Sequence, residues 1–216
     1  SWMQRPAILE TVRERSELWD IVVIGGGATG AGSALDAASR GLSVLLLEQD
    51  DFGKGTSSRS TKLIHGGVRY IRHGNISLVR EALKERSLLL KNAPHVVHTQ
   101  AFVIPCYGLW QRFFYGVGMK LYDLLAGKHR IGKSRRLSRS ETAEHLPSIK
   151  ARGLVGGVLY HDGQFDDTRL LIDILRTAVS HGAAVLNYSR VKTIDADEIG
   201  RIRYVSFIDT LTGEKH

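Results

Sequence analysis

Gly25-Gly26-Gly27-Ala28-Thr29-Gly30 is the most chemically specific stretch of the sequence, because glycines at 25, 27 and 30 have the spacing of a turn that cradles a dinucleotide diphosphate. Gly25 is expected to make the tight turn, Gly27 to admit the pyrophosphate to the backbone, and Gly30 to let a helix lie close to a strand. Amides left unpaired at the helix start would then face the phosphates. Glu48 follows Gly30 by 18 residues, where a carboxylate can accept hydrogen bonds from a ribose diol; an acid there argues against a 2′-phosphate. The alternative is a glycine-rich packing turn in an unrelated α/β domain, with Glu48 merely solvated.

A second constellation runs Gly55-Thr56-Ser57-Ser58-Arg59-Ser60-Thr61-Lys62-Leu63-Ile64-His65-Gly66-Gly67-Val68-Arg69-Tyr70. Its hydroxyls and cations can donate to phosphate or to a heteroaromatic ring, and Gly66 and Gly67 would let backbone approach a flat ligand. Composition alone reads it equally as a solvated polar loop, and Arg69 alone as a surface ion pair. His65 has a pKa range suited to a general base, but a base needs reach to a substrate proton, so no catalytic residue is assigned. Asp162, Asp166 and Asp167 read more simply as a turn followed by a charged helix start than as catalytic carboxylates. His95 and His98 stand three apart beside Pro94 with no second pair, so no metal is expected.

The elements that must position these residues begin with a β-branched run at 20–24, too short and apolar for an amphipathic helix, which stops at the glycines. A thin helix of Ala, Ser and Gly follows at 28–40, then a second buried strand at 42–48, giving a βαβ unit with a right-handed crossover. The polar segment 49–67 is too long for a casual turn. Helices are expected at 75–91, 110–126, 138–145 (capped by Ser138 or Ser140) and 166–182. Strands are expected at 102–105, 158–161, 184–188, 190–194 and 201–209. A turn at 210–213 is followed by too few residues for a returning strand.

Trp110, Phe113, Phe114, Val117, Leu121, Leu124 and Leu125 form one helical stripe just before a basic run at 128–139. The favoured reading packs this stripe in a core; the other makes it an interfacial helix flanked by cations. Net charge is +8, and residues 101–152 hold 10 Lys/Arg against 3 Asp/Glu, so the basic character is local and suits phosphates or an anionic surface. The single Cys106 excludes an internal disulfide and any all-cysteine metal site, and fits a reducing compartment. No stretch reaches the roughly 18 to 20 apolar residues of a spanning helix, and residues 1–20 lack the apolar run of a secretory signal. Residues 1–16 are left out of the fold reading. With no aromatic-studded strand or helix-turn-helix pattern, nucleic acid is not an expected partner.

The unbroken match of the 25–30 glycines and of Thr56 to Tyr70 resembles the FAD-dependent, membrane-associated glycerol-3-phosphate dehydrogenases, within the glutathione-reductase-like group that includes D-amino-acid oxidase. The resemblance continues through 81–86, 120–123 and 160–169, and so covers the chain from about residue 20 onward. It implies an α/β fold: a Rossmann-like FAD-binding domain of the glutathione-reductase/D-amino-acid-oxidase type with part of an α+β substrate (cap) domain, incomplete in this length. The implied division is a tail at 1–16, the first part of the FAD-binding domain at 17–95, cap domain at 96–163, and a return to the FAD-binding domain at 164–216.

The implied reaction is hydride transfer from C2 of sn-glycerol 3-phosphate to FAD, giving dihydroxyacetone phosphate, with electrons passed to a quinone. Implied cofactor residues are Gly25, Gly26, Gly27, Ala28, Thr29, Gly30, Glu48, Gln49, Thr56, Ser57, Ser58, Lys62, Leu63, His65, Gly66, Gly67 and Val191. Arg69 and Tyr70 are implied at the substrate phosphate, where a guanidinium's bidentate fork suits the role. The resemblance further implies a peripheral membrane surface as partner, a homodimer, and a place on the cytoplasmic face of a bacterial inner membrane or, alternatively, on the mitochondrial inner membrane. Alternatives are a soluble glycerol-3-phosphate oxidase using oxygen, a nicotinamide-dependent dehydrogenase, which would leave 56–70 unexplained, or a non-catalytic nucleotide-binding fragment. Family members continue with further flavin and phosphate motifs, so a chain of these 216 residues alone is expected to hold FAD poorly and not to turn over.

Overall fold

A computed structural model of the chain describes residues 4–65 and 75–216. They form two compact units: residues up to Ser60 together with Asp167–His216, and Thr61–Asp166.

In the first unit, β1 (Ile21–Ile24) runs through the glycine turn into α2 (Ala28–Ser39) and on to β2 (Val44–Leu47). The two strands pair in parallel from Ile21↔Val44 to Ile24↔Leu47, as the βαβ reading requires. Helix α6 (Asp167–Ser180) leads to β7 (Ala184–Leu186), which joins the other edge of β2, also in parallel. All four residues of β2 are buried because both faces of the sheet are covered. Val44 and Leu46 meet Ala31, Ala34, Ala37 and Ala38 of α2 with Leu171, Leu175 and Ala178 of α6. The small side chains of α2 are what let that helix lie close.

Leu45 and Leu47 face the opposite way, into a cluster with Leu9, Leu186 and Phe207. Leu9 belongs to α1 (Arg5–Glu14), a helix in the stretch that the sequence reading leaves out of the fold. Its Arg5 reaches Asp209 at 3.0 Å and the Asn187 carbonyl at 3.0 Å, contacts across the length of the chain that no local pattern announces. Strands β8 (Ser189–Ala196) and β9 (Ile202–Asp209) form an antiparallel hairpin. The residues after the 210–213 turn, expected to be too few for a returning strand, do turn back on β9: Lys215 pairs with Ile208 in an isolated bridge, and Phe207 and His216 exchange two backbone hydrogen bonds.

The second unit is built on β6 (Gly156–Phe165). The strand β4 (Val97–Cys106) pairs with it antiparallel over its whole length, while β3 (Leu63–Ile64) and β5 (Arg135–Leu137) share its other edge. Both long strands exceed the expected 102–105 and 158–161, because polar residues at their ends hide the alternation. Asp162 is the clearest correction: it lies inside β6, buried, and not in a turn. Helix α3 (Ile76–Asn92) contributes Val79 and Leu83 to the core, and α4 (Leu109–Ala126) contributes Met119, Tyr122 and Ala126. Of the expected core stripe of α4 only Leu125 packs against the core; Trp110, Phe113, Phe114, Val117, Leu121 and Leu124 are exposed, with Trp110 75% and Leu124 76% accessible.

Helix α5 (Arg139–His145) opens on a capping box in which Ser138, not Ser140, is the cap. The Ser138 amide donates to Glu141 at 2.7 Å and Arg135 donates to the other carboxylate oxygen at 2.6 Å. The Ser138 amide first, and the Arg135 guanidinium next, hold the Glu141 carboxyl down to about 2. A folded value below the usual 4.5 means that this contribution is complete above pH 4.5 and fades as pH falls toward 2. Amide exchange in α5 is therefore expected to accelerate over that window, and Glu141→Gln to remove the acid dependence; a Glu141 carboxyl titrating at its usual value would contradict this.

Candidate functional site

The first unit brings the phosphate-type turn and Glu48, the residue just after β2, together. Gly25 sits at φ +111°, a left-handed conformation that costs a side-chain-bearing residue and suits glycine. Its amide donates to Leu47 at 2.8 Å, which ties the turn to the end of β2. Gly30 answers to a different need: a Cβ there would run into the Gly25 carbonyl oxygen and come within 3.3 Å of Val23. The turn and the first turn of α2 are therefore in backbone contact, as the fingerprint spacing implies.

Glu48 is half-buried, and its carboxylate is fastened by two main-chain donors, Gly26 to Oε2 at 2.6 Å and Asp50 to Oε1 at 2.8 Å. Each oxygen keeps a second lone pair, so the carboxylate is oriented yet can still accept. The side chain thus couples the middle of the glycine turn to the segment after β2. Glu48→Ala leaves both amides without their acceptor and is expected to destabilise the first unit by about 1–3 kcal/mol, with Glu48→Gln costing less. Urea unfolding of both variants checks it; equal midpoints for wild type and Glu48→Ala would contradict it.

The hydroxyl-rich segment follows a tight course in the same unit. Thr56–Ser58 form a 3-10 turn, and Ser57 Oγ accepts a hydrogen bond from the Ala28 amide at 2.8 Å. Helix α2 has no side-chain cap of its own at Gly27, so Ser57 supplies the missing acceptor from 29 residues away. This brings the 56–58 segment against the amides that open α2. Behind it, Asp167 at the start of α6 accepts from Ser60 Oγ at 2.8 Å and from the Ser60 amide at 3.2 Å. Asp167, expected only as a helix-start charge, makes this bond as well; no local signal links residues 107 apart.

Other expected site residues are placed as follows. Gln49 and Thr56 are exposed, next to Glu48 and at the head of the 3-10 turn respectively. Ser58 is half-buried. Val191 lies on β8, paired with Phe207 and packed against the cluster that holds Leu45 and Leu47. Lys62, Leu63 and His65 belong to the second unit. Lys62 has φ +56° and its carbonyl accepts from the Phe165 amide at 3.0 Å; Leu63 pairs with Gln164, and His65 follows exposed. Gly66, Gly67, Arg69 and Tyr70 lie outside the described residues.

A glycine turn whose backbone approaches closely, helix-opening amides beside it, and an oriented carboxylate at the end of the next strand form a cradle into which the ADP half of a dinucleotide fits. The chain is 46% identical over 223 aligned residues to the mitochondrial glycerol-3-phosphate dehydrogenase of Macaca fascicularis, an alignment that covers 98% of this chain and 30% of that protein. It is 41% identical to the aerobic glycerol-3-phosphate dehydrogenase of Staphylococcus aureus (strain MRSA252), covering 94% of this chain and 37% of the relative. Among solved structures, the glycerol-3-phosphate dehydrogenase of Bacillus halodurans complexed with FAD matches with TM-score 0.74 and 34% identity over 100% of this chain and 35% of that one. The chain thus spans about a third of the length of these relatives. The sequence profile of the family described as DAO, FAD dependent oxidoreductase, matches residues 20–216, and this chain belongs to that family.

Proposed function

We propose that this chain is the portion of an FAD-dependent glycerol-3-phosphate dehydrogenase that holds the ADP half of the cofactor and begins the substrate-covering domain. The observation that carries the reading is the Glu48 carboxylate fixed between the Gly26 and Asp50 amides beside the Gly25–Gly30 turn. When bound, FAD supplies the acceptor for a hydride from C2 of sn-glycerol 3-phosphate, giving dihydroxyacetone phosphate. The chain's own residues bind and orient. The α2 amides attract the diphosphate, with Ser57 beside them; Glu48 accepts from the ribose; Thr56, Ser58, Gln49 and Val191 remain cofactor candidates.

Lys62, Leu63, His65, Gly66 and Gly67 are retained as flavin-side candidates, and Arg69 with Tyr70 as the phosphate-binding pair, on the resemblance of residues 56–70. The domain roles belong to the same reading: residues 17–95 and 164–216 serve the FAD-binding domain and 96–163 the substrate-covering domain, while the compact units divide after Ser60 and after Asp166. Transfer of electrons to a quinone, a homodimer, and peripheral attachment to a bacterial or mitochondrial inner membrane complete it. Among the described residues no helix is long and apolar enough to cross a membrane.

The full-length protein that contains this chain should carry flavin absorbance and reduce a quinone analogue when given sn-glycerol 3-phosphate. Peroxide in place of reduced quinone would favour the oxidase reading, and absence of flavin would overturn both. Glu48→Ala in that protein is expected to weaken FAD retention about tenfold, the equivalent of one lost charged acceptor.

A further inference from the structure

Residues 53–60 form a strap whose middle meets the start of α2 and whose two ends rest on α6. At the near end the Gly53 amide donates to the Gly26 carbonyl at 3.1 Å. Gly53 has φ +73°, and a Cβ there would press into the Leu171 side chain, so backbone and helix are in direct contact. At the far end Ser60 donates twice to Asp167 Oδ2, from Oγ at 2.8 Å and from its amide at 3.2 Å. Asp167 and Leu171 are four residues apart on α6, so successive turns of one helix face present both, and both are buried. Between these two anchors Ser57 Oγ accepts from the Ala28 amide at 2.8 Å. Accepting leaves the hydroxyl its own hydrogen to give to an anion.

We propose that Asp167 is a positioning residue for the cofactor: by anchoring Ser60 it keeps the strap on α6 and the Ser57 hydroxyl at the opening of α2, where that hydroxyl donates to the FAD diphosphate. The inference rests on the cofactor reading above and adds to it a residue that acts through another. The carboxylate's two oxygens divide the work. Oδ1 accepts from the Thr168 amide at 2.8 Å and so serves α6 itself, whose start also favours a negative charge. Oδ2 takes both Ser60 donors and so serves the strap. These partners all donate, so an asparagine would turn an NH2 toward a donor on one side. Ser60 is exposed, and without its acceptor water competes for its hydroxyl and amide. The far end of the strap is then released, while the Gly53 to Gly26 bond keeps the near end in place. An aspartate that served the helix alone would use only Oδ1.

The test follows release of FAD from the full-length holoprotein, read as the fluorescence of freed flavin well below the melting temperature. Asp167→Asn is expected to speed release about tenfold and Ser60→Ala about threefold. The double change Ser60→Ala/Asp167→Asn should release FAD no faster than Asp167→Asn alone, because both act through one contact. The two phosphorus resonances of the bound FAD should shift in Ser60→Ala, a mild surface change that leaves the core of α6 intact. Leu175→Ala supplies the comparison for a purely structural effect: Leu175 is buried on α6 in the same core cluster, and its truncation should lower the melting temperature without speeding release or moving the phosphorus resonances. Release and phosphorus shifts unchanged in both Ser60→Ala and Asp167→Asn overturn the proposal. So do effects of Ser60→Ala and Asp167→Asn that multiply in the double change, or a Leu175→Ala variant that speeds release as much as Asp167→Asn for the same loss of melting temperature. A full-length protein without flavin absorbance refutes the cofactor reading itself, whereas flavin that is present and released at equal rates refutes only the role of Asp167.

Discussion

Asp162→Ala is expected to cost about 3–5 kcal/mol of folding free energy, the range for removing one partner of a buried ion pair. Asp162 lies within β6, Arg86 on α3 and Tyr122 on α4, and all three side chains are buried. Arg86 Nη1 donates to Asp162 Oδ1 at 2.9 Å and to the Tyr122 hydroxyl at 3.0 Å; the Tyr122 hydroxyl donates to Asp162 Oδ2 at 3.2 Å; Arg86 Nη2 reaches the His129 carbonyl at 3.3 Å. Without the carboxylate the guanidinium keeps neutral dipoles but no counter-charge, in an interior where water cannot replace it. The damage should be local as well as global, because Asp162 is adjacent to Gly163, the residue that pairs with Ile64 of β3.

Hydrogen exchange should therefore rise first in β3, β6 and α4, leaving β1, β2 and β7 protected. Asp162→Asn, which keeps one acceptor, should lose less. The double change Arg86→Met/Asp162→Leu should be milder than the sum of its single changes, because it removes both charges and leaves apolar volume. A cost below 1 kcal/mol for Asp162→Ala in urea unfolding would mean that the network does not hold these elements together.

Gly30→Ala is the second large effect, and Gly32→Ala is its control. Both glycines lie inside α2, where glycine is about 1 kcal/mol less favourable than alanine. Around Gly32 a Cβ would meet nothing within 4 Å, so that substitution is expected to stabilise by up to about 1 kcal/mol. At Gly30 the new atom meets the Gly25 carbonyl, which is backbone and cannot rotate away. The turn must open or the helix must move off the sheet, at about 3 kcal/mol by the scale of overpacked sites. The same displacement spreads the amides that open α2, so FAD retention in the full-length protein should fall with Gly30→Ala and hold with Gly32→Ala. Paired melting curves test the opposite signs, and two substitutions that behave alike would remove the case for a close turn-to-helix contact.

Much of the first unit was legible because its signals are local. A β-branched run, three glycines at fixed offsets, an alanine-rich helix and a second apolar run specify strand, turn, helix and strand through backbone sterics alone, and the parallel register of β1 with β2 follows. Glu48 was legible for the same reason, since its place at the end of β2 is set by the length of the crossover. Its two backbone donors were not, because they depend on how the next segment folds back.

Tertiary structure decided the rest. Helix α4 is apolar nearly all round, so periodicity could find the helix but could not say which side the core would take. The core took the side with Gly116 and Ala126, where small residues permit close approach and where the Tyr122 hydroxyl meets Arg86. Asp162 looked like a turn residue beside Gly163, and only a partner 76 residues earlier in the chain turned it into the buried centre of a strand. Ser57 at the opening of α2 and Arg5 on Asp209 are of the same kind. The sequence by itself determined what each short segment would be, since neighbouring residues fix backbone conformation; which polar groups would meet was decided by distant segments, since a buried charge or amide can be matched only once the chain has brought its partner there.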